Sequence, residues 1–171
     1  MLRNVFFFLI CLTLTFSFRS KAQQANAVQV IITRHAEKGN GDAYDPGLSA
    51  AGRERAERLA QLLRETKVDR LYATPYKRTQ QTLAPLAAAK NLVVAQYDPG
   101  TLKTFADAIC KEKGKTIVVA GHANTAPALV NLLLGEERYS TLPEDAFGNM
   151  WLLTLKDGKA LSCLLINTNY H

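Results

Sequence analysis

Val28-Gln29-Val30-Ile31-Ile32-Thr33-Arg34-His35-Ala36-Glu37-Lys38 carries the chain from an aliphatic, β-branched run directly into an arginine and a histidine. β-Branched residues fit a pleated, half-buried surface, so Val28–Ile32 is predicted to be a strand. The reactive pair follows its carboxyl end, which is where an open α/β sheet places its ligands.

Working outward, helical and extended patterns alternate. Ser49 to Arg64 is predicted to be a helix, with Leu48, Ala56, Leu59, Leu62 and Leu63 apolar and Ser49 as its N-cap. A short strand is expected at Arg70–Ala73, a helix at Arg78–Lys90, a strand at Leu92–Ala95 and a helix at Leu102–Lys111. Thr116–Ala120 then reads as a strand and Thr125–Leu134 as a helix. This order implies an α/β fold in three layers, with a mainly parallel sheet and helices on both faces. The end of the chain differs. Met150–Leu155 and Ala160–Ile166 flank Asp157-Gly158, a hairpin signal that predicts an antiparallel edge.

The chain has 171 residues and a formal charge of +6. Its first segment pairs Arg3 with an apolar run from Val5 to Phe18 and reaches Ser20-Lys21-Ala22, small residues where a signal peptidase looks. The run is shorter than the roughly 20 residues a membrane-crossing helix needs, so no stable membrane anchor is expected. Residues 1–22 therefore read as a signal peptide cleaved after Ala22, residues 23–171 as a single domain, and the location as periplasmic or secreted. Loss of Arg3, Arg19 and Lys21 takes the charge from +6 to +3. No dense basic tract remains, so no nucleic-acid partner is expected. Cys110 and Cys163 remain, and a disulfide and two separate thiols both fit. Oligomeric state leaves no mark in the sequence.

Chemistry-bearing residues follow three predicted strands: Arg34-His35, Thr74 to Arg78, and Gly121-His122. Their convergence on one crevice would suit a phosphoryl group. Guanidinium forks donate paired hydrogen bonds to phosphate oxygens, and neutral imidazole is a nucleophile toward phosphorus. The turn Gly121-His122-Ala123-Asn124 opens a helix and can add amides, Ala123 among them. His35, His122 and His171 lack a spacing such as His-x-x-x-His, so neither a metal nor another cofactor is expected.

Together, Thr33-Arg34-His35-Ala36-Glu37, Ala73-Thr74-Pro75-Tyr76-Lys77-Arg78-Thr79-Gln80-Gln81-Thr82 and Val119-Ala120-Gly121-His122-Ala123-Asn124-Thr125 resemble the histidine phosphatase superfamily, which includes the phosphoglycerate mutases. Leu48-Ser49-Ala50-Ala51-Gly52 is similar to the start of that family's first helix. The resemblance implies a phosphoglycerate mutase-like fold and a metal-independent phosphatase. His35 would be the nucleophile, Arg34 and Arg78 would bind the phosphoryl oxygens, and His122 would stabilise the transferring group. A proton donor to the leaving group is less defined. Asp98, after the third strand, and Glu37, just past the nucleophile, are the candidates, although Asp98 also suits a turn before Pro99 and Glu37 a solvated loop. Little chain is available for a lid, which favours hydrolysis of a small phosphomonoester or a phosphorylated side chain. A phosphoglycerate-mutase-like transferase and a non-catalytic module binding phospho-ligands are the alternatives.

Overall fold

A computed structural model describes residues 26–168. The predicted signal peptide and His171 lie outside the described residues. The elements run β1 (Val28–Arg34), α1 (Ala50–Leu62), β2 (Arg70–Ala73), α2 (Lys77–Lys90), β3 (Val94–Gln96), a 3-10 turn (Pro99–Thr101) and α3 (Leu102–Ile109). They continue with β4 (Thr116–Gly121), α4 (Thr125–Leu134), β5 (Asn149–Lys156) and β6 (Lys159–Asn167). Among the described residues no helix is long and apolar enough to cross a membrane.

The sheet has six strands in the order β3-β2-β4-β1-β5-β6. β1, β2, β3 and β4 pair in parallel, whereas β5 joins β1 and β6 joins β5 antiparallel. The hairpin turn behaves as its residues require, with both Asp157 and Gly158 at positive φ. The strand expected at Leu92–Ala95 is shifted to Val94–Gln96 and lies at the edge of the sheet, and Val93 is 86% exposed. An edge strand paired on one side only has fewer contacts to hold its register.

Alternation along β1 sorts the two sides of the sheet. Val28, Val30 and Ile32 join Ile117, Val119, Leu129, Leu133 and Trp151 in a core under α3 and α4. Ile31 instead joins Leu71, Val118, Leu63, Leu83 and Leu86 under α1 and α2. Ser49 caps α1 by accepting from the Gly52 amide at 3.0 Å. A Cβ at Gly52 would sit 2.2 Å from the Glu37 carbonyl oxygen, so only glycine lets α1 approach the segment after β1 this closely. Cys110 and Cys163 are free thiols.

What matters for function is the level at which three strands end. Arg34 pairs with Gly121 and Ala73 with Ala120. His35, Thr74 and His122 therefore leave the sheet side by side, and the His35 amide donates to the Gly121 carbonyl at 2.8 Å.

Candidate active site

Above those strand ends lies a cavity of about 340 Å³ lined by Arg34, His35, Lys38, Tyr44, Arg78, His122, Ala123 and Glu144. Arg34, His35, Arg78 and His122 are thus brought together, as is Ala123. The two imidazole rings stand edge to face with centroids 5.4 Å apart.

His35 is 5% exposed. Its Nδ1 lies 2.7 Å from the Ala36 carbonyl oxygen, which can only accept, so Nδ1 carries the hydrogen and Nε2 holds a free lone pair. Burial pushes its pKa down to about 4, against the Ala36 hydrogen bond, which raises it; Arg78, His122 and Arg34 lower it further. His122 is also pushed down to about 4, by burial first and then by Arg78 and Arg34. Both rings are therefore neutral near pH 7.

Arg34 is 2% exposed. Its Nη1 donates to the Pro143 carbonyl at 2.7 Å and the Ala146 carbonyl at 3.4 Å, and its guanidinium lies 4.2 Å from the centre of the Phe147 ring. Burial lowers its pKa, and the Glu144 charge opposes that shift. Its Nε has no partner among the described residues.

Arg78 comes from the first turn of α2, whose N-cap, Tyr76, makes no side-chain capping bond. Asp45 does this work from a distant loop. Its carboxylate accepts from the Lys77 amide at 3.0 Å and lies 3.6 Å from Arg78 Nη1, placing negative charge at the positive end of the helix. Asp42 stiffens that loop by accepting from the Tyr44 and Asp45 amides and from Lys77 Nζ at 3.0 Å.

The two expected proton donors are elsewhere. Asp98 accepts from the Gly100 amide at 2.8 Å, capping its own turn, and lines a separate cavity with Tyr97 and Phe105. Glu37 is gripped by Arg55 at 2.6 and 3.0 Å and does not line the site. Burial raises its pKa, but the Arg55 hydrogen bond and charge outweigh this and leave it lowered, so Glu37 is held ionised. The carboxylate that does face the cavity is Glu144, 3.3 Å from Lys38 Nζ and 3.5 Å from Arg34 Nη2. The Lys38 hydrogen bond and the nearby cations hold its pKa below the usual carboxylate range. Glu144 and Lys38 carry no sequence signal of their own. One lies in the loop before β5, and only folding brings it against β1.

The fold is thus a three-layer α/β sheet that brings two arginines and two histidines together above its strand ends. Residues 30–100 match the model of the histidine phosphatase superfamily (branch 1). Over 77 residues it is 39% identical to phosphoserine phosphatase 1 of Hydrogenobacter thermophilus, a match covering 42% of this chain. The match spans 36% of that relative's length. The solved structure of the protein histidine phosphatase SixA complexed with tungstate shares the fold, with a TM-score of 0.64 at 21% identity over 81% of this chain and 96% of that one. A mycobacterial glucosyl-3-phosphoglycerate phosphatase gives 0.62 at 14% identity over 82% and 98%.

Proposed function

We propose that this chain is a phosphatase that hydrolyses phosphomonoesters, or a phosphorylated side chain, through a phosphohistidine formed on His35. The observation that carries this reading is the hydrogen bond from His35 Nδ1 to the Ala36 carbonyl. It fixes the tautomer and leaves Nε2 as an unprotonated nucleophile in a cavity walled by Arg34 and Arg78.

In the first step the Nε2 lone pair attacks phosphorus, the bond from phosphorus to the leaving oxygen breaks, and the leaving group takes a proton. In the second, water attacks the phosphohistidine, its proton is lost, and the nitrogen–phosphorus bond breaks to release phosphate. Charge spread over the equatorial oxygens is met by the two guanidiniums and by His122. The relatives named as a protein histidine phosphatase and a phosphoserine phosphatase support the same reaction class. The reading includes no metal, and it includes export, supported by the composition of Met1–Ala22.

The test is hydrolysis of a chromogenic phosphate ester with acid trapping of the enzyme. Turnover that survives a chelator and a trapped phosphohistidine that disappears in His35→Ala are expected. Equal activity in His35→Ala, or complete loss with the chelator, would overturn the reading.

A further inference from the structure

Behind His122 runs a chain of hydrogen bonds with a direction. Its Nδ1 lies 3.4 Å from Arg78 Nη2, and its Nε2 lies 2.9 Å from Thr74 Oγ1. Thr74 Oγ1 lies 2.9 Å from Thr79 Oγ1, which is in turn 2.9 Å from the Thr74 carbonyl and 2.8 Å from the Tyr76 carbonyl. Thr74 and Thr79 are both wholly buried, so no water competes for these groups.

The two ends of the chain settle where the hydrogens lie. A guanidinium can only donate and a carbonyl can only accept. Only one arrangement satisfies every pair. Arg78 donates to Nδ1, Nε2–H donates to Thr74, the Thr74 hydroxyl donates to Thr79, and the Thr79 hydroxyl donates to a carbonyl. The reverse direction would set an Nδ1–H against a guanidinium N–H.

We infer that Thr74, backed by Thr79, is a positioning residue that fixes His122 as its Nε2–H tautomer, so that the free site presents a bare Nδ1 lone pair beside Arg78. This inference rests on the phosphatase reading only for its consequence. A neutral His122 in this tautomer has nothing to donate to a phosphoryl oxygen, so it must first gain a proton at Nδ1. A phosphoryl group arriving as its monoanion carries one proton. Transfer of that proton to Nδ1 leaves a dianion facing an imidazolium whose two N–H groups both have acceptors, a phosphoryl oxygen and Thr74 Oγ1. The depressed pKa of His122 in the free site agrees with a ring that is neutral until an anion arrives. The groups around it are Arg78 and Tyr76 from the start of α2, Arg34 and His35 at the end of β1, and Thr74.

The tautomer is read directly from the ring nitrogen shifts of His122 in a long-range proton–nitrogen spectrum of ¹⁵N-labelled protein at pH 7. Wild type is expected to show Nε2 protonated and Nδ1 bare, and inorganic phosphate should protonate both. Thr79→Val removes the acceptor for the Thr74 hydroxyl and should move population toward Nδ1–H. Thr74→Val should lower kcat by about tenfold with KM nearly unchanged, the scale of one hydrogen bond, and Thr74→Ser should restore it. An Nδ1–H tautomer in the free wild type, or Thr74→Val with unaltered kcat, would overturn the inference. If no ester is turned over while the spectrum shows the expected tautomer, the phosphatase reading fails and the positioning role stands. Turnover with the opposite tautomer sinks the positioning role alone.

Discussion

Two cavities of about 340 Å³ share Arg34, and their walls differ. One opens above the strand ends and is lined by His35, Lys38, Arg78 and His122; the other lies against α1 and is lined by Leu59, Leu62, Phe147 and Met150 together with Arg55, Arg58, Thr33 and Thr82. The second cavity is mainly apolar, and its wall carries no histidine. What sets the first apart is convergence: three parallel strands end at one level and bring Arg34, His35, Arg78 and His122 to one cavity. The volume enclosed does not distinguish the two.

Breaking the polar cavity should have the largest effect. His35→Ala removes the proposed nucleophile, and ester hydrolysis should fall by at least about 10⁴-fold in a steady-state assay with folding checked by circular dichroism. Arg78→Ala should cost about 10²–10³ in kcat, the loss expected for one donor to transition-state charge. It should also abolish the rise in melting temperature that millimolar phosphate gives the wild type, since only a ligand bound to the folded state stabilises it.

Proton uptake separates the same regions. The pKa values of His35 and His122 are depressed to about 4 from an ordinary 6.5. The unfolded chain therefore binds more protons than the folded one as pH falls. Stability is full above about pH 6.5 and is lost progressively down to about pH 4, by at most roughly 3 kcal/mol for a wholly buried ring. Denaturant melts across pH 4–7 should show this loss, and His122→Asn should flatten it. The acid limb of kcat/KM should likewise fall nearer pH 4 than 6.5 once substrate ionisation is accounted for, because His35 must be neutral to attack.

Met150→Ala, in the apolar cavity, should cost about 2 kcal/mol of stability and leave kcat unchanged. A large drop in kcat with retained fold would erase the distinction between the two cavities. The smallest effect is expected at the rim. Glu144 is 80% exposed and sits as an internal anion between Lys38 and Arg34. Glu144→Gln should lower KM about threefold without changing kcat, and the difference should shrink in high salt.

The alternation of elements and the four central residues were legible because they depend on short-range patterns. A β-branched run predicts a strand, and a reactive residue immediately after it must emerge at the sheet's carboxyl edge. Arg34, His35 and His122 obey that rule, and Arg78 reaches the same edge from the first turn of the helix after β2. Asp98 met the same condition and still misled, because its carboxylate turns back to the Gly100 amide two residues on, a bond no strand pattern reveals. Glu37 misled for another reason, since its partner Arg55 lies on the next helix and draws it away.

The sequence by itself determined the alternation of elements, the hairpin at Asp157-Gly158 and the identity of the residues carried at the strand ends, since each is written in local conformational preference. Only the tertiary structure decided which charges and hydrogen bonds surround those residues. Asp45 caps α2, the Pro143 and Ala146 carbonyls hold Arg34, Glu144 faces Lys38, and Thr74 meets His122. These contacts join loops and strand ends far apart in the chain. Tautomer and pKa depend on the distance and direction of neighbouring dipoles and charges, and folding alone sets both.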